Sequence, residues 1–229
     1  MHVKAILTAA GSGKRFNIKS GKKSLPKQFV RIHGKPVILY SLLALQKCRE
    51  VDEILVTCNS EYIEMIDKIV SANKITKLAM YVEGGKTRFE SVKNAFKQIA
   101  AGDNDTILIH DAARPNIASD FISSLIKASK KADGVVTGHR ITDTVKKESK
   151  LFIKDTINRK ELWTVQTPQV FKYSVLADSY KKAGKKKDFT DESSMAEAAG
   201  YKIKLLEGPK ENIKITVPED VELMKYLLK

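Results

Sequence analysis

Short apolar runs rich in β-branched residues recur along the chain, and longer segments with helical spacing of apolar positions separate them. The runs lie at residues 3–7, 54–58, 78–82, 106–109 and 135–137. They predict buried strands. Between them apolar side chains return every three or four residues, as at Ile63, Ile66 and Val70, which predicts helices. Strands alternating with helices predict an α/β fold, with a Rossmann-like, mostly parallel sheet covered by helices on both faces.

The last third of the chain departs from this alternation and then returns to it. Residues 142–163 are polar, with short alternating segments and no long helical face. Because so few residues cannot bury a core of their own, we expect a protruding β-arm at about 141–165 rather than a second domain. The pattern then predicts three helices and one strand, at 173–182, 192–199, 219–228 and 202–206. We therefore expect a single domain over residues 1–229, whose arm packs on a second subunit in a homodimer.

The charge of the chain first suggests a nucleic-acid partner. The net charge is +14, from 41 Lys and Arg against 27 Asp and Glu. However, 34 of the basic residues are Lys, dispersed among acids, and a single Trp provides no platform on which bases could stack. We expect the excess charge to attract small anions instead, and no nucleic acid to bind. A basic RNA-binding protein stays open as an alternative of a different class.

Neither the apolar stretches nor the cysteines indicate a membrane or an oxidising compartment. The longest apolar stretch, residues 36–45, is too short to span a bilayer, and we expect no membrane partner. The first residues show no signal-peptide pattern, and Cys48 and Cys58 have no metal-type or redox-type spacing. We expect a cytoplasmic protein.

A glycine-containing loop, residues 9–16, follows the first predicted strand. Glycines directly after a strand let backbone N–H groups approach a phosphate closely, and basic side chains add charge. The loop fits neither a dinucleotide fingerprint, because Phe16 stands where the third glycine belongs, nor a P-loop, because Arg15 follows Lys14. Taken alone, the segment is also compatible with an ordinary turn between a strand and a helix.

Six further motifs follow the glycine loop in order: Pro26-Lys27-Gln28, Gly84-Gly85-Lys86-Thr87-Arg88, His110-Asp111-Ala112-Ala113-Arg114-Pro115, Gln166-Thr167-Pro168-Gln169, Thr190-Asp191-Glu192 and Asn212-Ile213-Lys214. Together they resemble the 2-C-methyl-D-erythritol 4-phosphate cytidylyltransferases, a family of sugar-phosphate nucleotidyltransferases, over nearly the whole chain. The resemblance implies CTP and a polyol phosphate as substrates, Mg²⁺ as cofactor and a homodimer. A ribitol-5-phosphate cytidylyltransferase shares several motifs and is the nearest alternative. Ala113 and the Thr190-Asp191-Glu192 motif favour the first family.

The resemblance also implies roles for individual residues. Arg15, Lys27 and Lys214 are expected to stabilise the charge on the reacting phosphates, and Asp111 to hold the magnesium ion. The nucleotide is expected to contact Ala9, Ala10, Gly11, Ser12, Gly13, Lys14, Gly84, Gly85, Ser91 and Ala112. The substrate is expected to contact Arg114, Thr144, Arg159, Thr167, Thr190 and Asp191. Arg88 is interpreted as a structural residue that orients its loop.

Local patterns leave simpler explanations open for several of these residues. Asp111 and Asp191 are also compatible with helix caps, Arg159 with a surface salt bridge, and Lys214 with an ordinary strand residue. Two departures from the family pattern stand out. Lys86 replaces an acidic residue common in relatives, and the polar segment 16–25 is a few residues longer than usual.

Overall fold

A computed structural model describes residues 1–11, 13, 16, 19–20, 23–184 and 189–228. Its elements in chain order are β1 (Val3–Thr8), β2 (Lys19–Ser20), β3 (Lys23–Ser24), β4 (Arg31–Ile32), β5 (Lys35–Pro36), α1 (Val37–Lys47), β6 (Glu53–Cys58), α2 (Ile63–Ala72), β7 (Leu78–Glu83), α3 (Arg88–Gln98), β8 (Thr106–Asp111), α4 (Ser119–Ser129), β9 (Gly134–Arg140), β10 (Val145–Ser149), β11 (Phe152–Ile157), β12 (Trp163–Lys172), α5 (Tyr173–Ala183), α6 (Glu192–Ala198), β13 (Ile203–Glu207) and α7 (Glu219–Leu227). Short 3-10 helices lie at Lys27–Phe29 and Ser60–Tyr62.

A seven-stranded sheet in the order β13-β9-β12-β8-β1-β6-β7 forms the centre of the fold. β12 runs antiparallel to both of its neighbours, and the other pairs are parallel. The predicted α/β fold with a mostly parallel sheet is therefore confirmed, as are the strands expected from apolar runs. β12 was not expected, because its buried positions include the polar side chains of Gln166, Thr167 and Gln169, and Pro168 interrupts it.

Helices cover both faces of this sheet, as the alternation of elements predicted. Successive side chains of a strand point to opposite faces, and β1 shows this directly. Ala5 and Leu7 belong to the core under α1, α2 and α4, whereas Ile6 belongs to the core under α3, α5 and α6. Strands that contribute to both cores bury both faces, which explains their nearly continuous apolar sequences.

A third, smaller core packs α7 against the β4–β5 hairpin and the start of α1. Val221 and Met224 of α7 pack with Ile32 and Val37, and Ile215 joins the same cluster. The backbone N–H of Ile215 also donates to the carbonyl of Ala113, at 2.8 Å. These contacts hold the segment before α7 beside the carboxyl end of β8.

The β10–β11 hairpin lies where the arm was expected and pairs antiparallel with itself. Its tip carries an exposed apolar run: Leu151, Phe152 and Ile153 are 93%, 79% and 70% exposed. The predicted arm range of 141–165 also takes in the first residues of β12, which belong to the central sheet. Packing of the hairpin on a second subunit stays a prediction.

Candidate active site

A cleft of about 400 Å³ opens beyond the carboxyl ends of β1 and β8, where ligands bind in sheets of this kind. Of the residues predicted for the site, it is lined by Ala9, Ala10, Gly11, Lys27, Gly85, Ser91, Asp111 and Lys214. The glycine loop, the loop before α3 and the segment before α7 thus meet at one place. Ser12, Lys14 and Arg15 lie outside the described residues, as do Lys22 and the lysines at 185–187.

Two loops that carry glycines pack closely against each other at one wall of the cleft. A Cβ atom added to Gly84 would lie 2.1 Å from the Cβ of Ala10, and one on Gly85 would lie 2.3 Å from the Cβ of Glu90. The N–H of Gly85 donates to the Ser91 hydroxyl at 3.0 Å, and that hydroxyl donates to the carbonyl of Thr87 at 2.9 Å. The absence of a side chain at Gly84 therefore lets the two loops meet, and its absence at Gly85 lets that loop pack on the first turn of α3.

Gln28 ties the glycine loop to the turn that carries Lys27. Its amide nitrogen donates to the carbonyl of Ala9 at 2.6 Å, and its side chain is buried. Gly13 has a φ of +64°, the left-handed region that favours glycine. The Lys27 ammonium donates to the carbonyl of Ile215 at 2.6 Å. The Pro26-Lys27-Gln28 motif thus connects the glycine loop with the segment before α7.

Asp111 stands at the centre of the cleft floor, and its side chain is buried. Its Oδ1 accepts hydrogen bonds from the Thr8 hydroxyl at 3.0 Å and from Arg88 Nε at 2.9 Å. Its Oδ2 accepts from the Lys214 ammonium at 2.5 Å. Thr8 is the register partner of Asp111 across the β1–β8 pair. The sheet itself therefore sets one of these three contacts.

The cations around Asp111 determine its protonation. Burial alone would raise the pKa of its carboxyl, but the charges and hydrogen bonds of Arg88 and Lys214 outweigh burial and hold the pKa well below its usual range. Asp111 is therefore an ionised carboxylate at neutral pH. The alternative interpretation of Asp111 as a plain helix cap does not account for these contacts.

The second hydrogen-bond partner of Arg88 could not be predicted from the sequence. Arg88 Nη1 donates to Glu192 Oε2 at 2.7 Å, and the Glu192 side chain is fully buried. Burial would lower the pKa of Arg88, but Asp111 and Glu192 outweigh it and raise the pKa. The motif that contains Glu192 was visible in the sequence. Its contact with Arg88, more than a hundred residues away, was not.

Lys214 reaches Asp111 because buried hydrogen bonds hold its segment. The amide nitrogen of Asn212 donates to Gln166 Oε1 at 3.0 Å and to the carbonyl of Thr167 at 2.8 Å. Arg114 Nη1 in turn donates to the carbonyl of Asn212 at 2.7 Å. Arg114, which we expected to contact substrate, therefore braces the segment that carries Lys214.

Thr167 and His110 form a buried pair beneath Asp111. The N–H of Asp111 donates to the Thr167 hydroxyl at 3.0 Å, and that hydroxyl lies 3.2 Å from His110 Nδ1. His110 Nε2 lies 3.1 Å from the carbonyl of Arg114, which can only accept, so Nε2 carries the proton. Burial lowers the pKa of His110 to about 4, and the ring is therefore neutral.

The remaining predicted residues lie outside the lining of the cleft. Thr144 and Arg159 are exposed, and Arg159 donates to the carbonyl of Thr142. Asp191 is the N-cap of α6: it accepts from the N–H of Ser194 at 2.9 Å. The other predicted residues that do not line it are Gly13, Gly84, Ala112, Arg114, Thr167 and Thr190.

The comparisons with known proteins identify the family of the chain. The sequence profile of the family IspD, 2-C-methyl-D-erythritol 4-phosphate cytidylyltransferase, matches residues 3–229. The chain belongs to this family. A family member from Clostridium botulinum is 39% identical over 225 residues, covering 97% of this chain and 96% of the relative. One from Clostridium perfringens is 37% identical over 229 residues, covering 99% of both.

Solved structures place the fold in the same family. The crystal structure of 4-diphosphocytidyl-2C-methyl-D-erythritol synthase from Anaerococcus prevotii superposes with a TM-score of 0.85 at 27% identity, covering 100% of this chain and 96% of the other. In the described part of this IspD family member, no helix is both long and apolar enough to cross a membrane.

The donors around the cleft fit one kind of magnesium site. Among the described residues no group of three or more His, Cys, Asp and Glu side chains could hold a metal ion. Asp111 offers a single ionised carboxylate beside the glycine loop. Mg²⁺ is commonly held by one or two carboxylates together with substrate phosphates and water. The residues of this family member therefore fit a magnesium ion that arrives with a nucleotide, rather than one held by protein alone.

Proposed function

We propose that this chain transfers CMP from CTP to 2-C-methyl-D-erythritol 4-phosphate. An oxygen of the acceptor phosphate attacks the α-phosphorus of CTP, the bond to the β-phosphate oxygen breaks, and pyrophosphate leaves. The product is 4-diphosphocytidyl-2-C-methyl-D-erythritol, a precursor in isoprenoid biosynthesis. The observation that carries the proposal is the ionised Asp111 held beside the glycine loop by Thr8, Arg88 and Lys214.

Positioning and charge neutralisation account for the catalysis, because an ionised phosphate needs no base to become a nucleophile. Lys27 and Lys214 both line the cleft and stabilise the charge on the phosphoryl oxygens. Arg15, in the glycine loop, adds a third cation by its family position. The neutral His110 takes no part in proton transfer.

Asp111 is the residue that would hold Mg²⁺, with the remaining positions left to phosphates and water. The ion supplies neutralisation of phosphate charge and orientation of the triphosphate. In the structure Asp111 Oδ2 binds the Lys214 ammonium, so a cation already occupies this side of the carboxylate. We propose that Lys214 turns to the phosphates when the nucleotide binds.

The nucleotide binds along the wall built from the two glycine loops. Ala9, Ala10 and Gly11 expose backbone groups to the triphosphate, and Gly85 and Ser91 border the base and ribose. Backbone N–H and C=O groups can distinguish the amino group of cytosine from the carbonyl of uracil. The side chain of Lys86, which replaces an acid, is not needed for that distinction. Ser12, Gly13, Lys14, Gly84 and Ala112 complete the nucleotide site by family position.

The acceptor phosphate binds to residues of the arm, Thr144 and Arg159, in a homodimer in which each arm reaches the cleft of the other subunit. Their exposure and the apolar tip of the hairpin support this arrangement. Arg is suited to bidentate phosphate binding. Thr167, Thr190, Asp191 and Arg114 shape the site near the polyol. We propose one domain over residues 1–229, with the arm at about 141–165, acting in the cytoplasm.

The decisive experiment measures pyrophosphate release from CTP with 2-C-methyl-D-erythritol 4-phosphate, ribitol 5-phosphate or no acceptor. We expect release with the first acceptor only, and its loss when EDTA removes Mg²⁺. UTP in place of CTP serves as the matched nucleotide control and should support much slower release. Release with ribitol 5-phosphate alone would contradict the proposed acceptor. Tight, salt-dependent RNA binding without any turnover would contradict the enzyme class.

A further inference from the structure

Glu192 is a buried carboxylate that the proposed reaction does not use. It begins α6, its side chain is fully buried, and the hydrogen bond from Arg88 Nη1 to its Oε2 measures 2.7 Å. Its neighbour Asp191 accounts for the cap of the helix. A helix cap therefore does not explain why a charged side chain is buried at this position, and the cost of burying it requires a function or a partner.

Arg88 lies between the carboxylate of Glu192 and that of Asp111. Its Nε donates to Asp111 Oδ1 at 2.9 Å while its Nη1 donates to Glu192. A guanidinium is planar and presents its donors in a rigid fork, so two carboxylates on different edges determine its orientation. Glu192 thereby holds Arg88 on Oδ1 of Asp111 and away from Oδ2, the oxygen that Lys214 contacts.

The charges of this cluster balance only when Glu192 is included. Asp111 and Glu192 form ion pairs with Arg88 and Lys214, which sets two carboxylates against two cations. Burial raises the pKa of Glu192, and the charge and hydrogen bond of Arg88 oppose that rise. Without the charge of Glu192, the half-buried guanidinium of Arg88 would act on Asp111 alone. A divalent cation at Asp111 would then meet a cluster with excess positive charge, in surroundings partly shielded from water, where charges interact more strongly than in bulk solvent.

We propose that Glu192 is a positioning residue, which acts through Arg88 to keep Asp111 Oδ2 directed at a divalent cation and to offset the positive charge of Arg88. The inference rests on the proposed role of Asp111 as the magnesium ligand. Substitution of residues that orient a metal ligand without contacting the metal commonly changes metal affinity about 10- to 100-fold. A purely structural role for Glu192 would change stability without changing cation affinity.

The test measures Mn²⁺ binding in the presence of CTP and without acceptor, so that no turnover occurs. Electron paramagnetic resonance reports free Mn²⁺, with CTP alone as blank. We expect Glu192→Gln, which keeps the shape and removes the charge, to bind Mn²⁺ about 10- to 100-fold more weakly. The Mg²⁺ concentration for half-maximal velocity should rise similarly, while kcat at saturating Mg²⁺ changes much less.

A second substitution separates charge from structure. The double variant Arg88→Gln with Glu192→Gln removes one charge of each sign, and we expect it to bind Mn²⁺ several-fold more tightly than Glu192→Gln alone. Leu176→Ala is the control, because it opens a cavity in a fully buried position of α5 and removes no charge. It should lower stability and leave Mn²⁺ affinity at the wild-type level.

The outcomes distinguish this inference from the proposed function. Wild-type protein that binds no Mn²⁺ with CTP would contradict the role of Asp111. Wild-type binding with an unchanged affinity in Glu192→Gln would overturn the role of Glu192, as would a double variant that binds no better than the single one. If Glu192→Gln does not fold, Arg88→Lys serves instead, since an ammonium lacks the rigid planar fork that fixes the orientation of Arg88 between the two carboxylates. It is expected to weaken Mn²⁺ binding, and wild-type affinity there would overturn the inference.

Discussion

The cluster around Asp111 and the β10–β11 hairpin show two different ways of holding functional side chains. Asp111 is buried and receives hydrogen bonds from three other elements or segments of its own chain. The hairpin pairs with itself, and most of its side chains are exposed, among them the apolar tip at 151–153. One region is complete within a chain, whereas the other presents a surface that a second molecule could cover.

This difference separates the two halves of the proposed site. Of the described groups expected to bind the nucleotide, Ala9, Gly85 and Ser91 are held by hydrogen bonds before any ligand arrives, which lowers the entropy lost on binding. The groups expected to bind the acceptor, Thr144 and Arg159, receive no such support from the central sheet. We therefore expect nucleotide binding to survive changes that disrupt the arm, and acceptor binding to depend on the second subunit.

The largest effect is expected at Asp111. Asp111→Asn removes the negative charge that faces the proposed magnesium ion and leaves Arg88 and Lys214 without their shared partner. We expect kcat/KM to fall about 1,000-fold, since a bound metal contributes several kcal/mol to a charged transition state. Pyrophosphate release measures the loss, and circular dichroism shows whether the variant folds. Turnover within tenfold of wild type in a folded variant would contradict the role of Asp111.

A smaller effect is expected from disrupting the arm. Ile153→Asp places a charge on the apolar tip and should shift the protein from dimer to monomer, as measured by analytical ultracentrifugation. We expect the KM for the acceptor to rise about 10- to 100-fold, because removing an arginine–phosphate contact costs a few kcal/mol. CTP affinity, measured by calorimetry, should change less than threefold.

The control for this variant is Leu223→Asp, which places the same charge at an exposed apolar position of α7. We expect it to leave both the dimer and the acceptor KM unchanged. An unaltered dimer in Ile153→Asp would contradict the role of the apolar tip in dimerisation, and a normal acceptor KM in a monomeric variant would contradict the contribution of the second subunit to the acceptor site.

The sequence predicted those strands and helices in which the apolar residues of the local pattern are also the residues buried in the folded protein. β1 and β8 lie in the middle of the sheet and each carries a run of buried apolar residues, so these runs identified them directly. β12 lies in the same sheet, but the side chains that it buries serve the site: Thr167 supports Asp111, and Gln166 holds Asn212. A strand whose buried face is polar carries no hydrophobic period by which to recognise it.

The same reasoning explains what the sequence predicted of the site. Motifs placed Lys27, Asp111 and Lys214 among the functional residues, and the structure brings all three to one cleft. No motif could show that Arg88 lies between two carboxylates, because Asp111 and Glu192 are distant along the chain from each other and from Arg88. Contacts of this length depend on the topology of the sheet, which a local pattern does not contain.

The smallest effect tests whether the nucleotide half depends on the close packing of its two glycine loops. In Gly84→Ala the new methyl group would meet the Cβ of Ala10 at 2.1 Å, so the backbone of one loop must move. We expect the free energy of unfolding to fall by about 1–3 kcal/mol, as overpacking commonly costs. CTP affinity should fall about tenfold, because a small displacement of a positioning loop weakens its ligand contacts.

The matched substitution for that test is Gly102→Ala, where the nearest atom to an added Cβ, an oxygen of Asp105, lies 4.0 Å away. Urea denaturation should show a change below about 1 kcal/mol in this variant, and calorimetry an unchanged CTP affinity. Because Gly84 lies on the body of the protein, its substitution should leave the dimer intact, in contrast with Ile153→Asp. If Gly84→Ala instead bound CTP as tightly as Gly102→Ala, the contact between the two loops would be a feature of the fold alone, and the nucleotide half would owe its order to the cluster around Asp111.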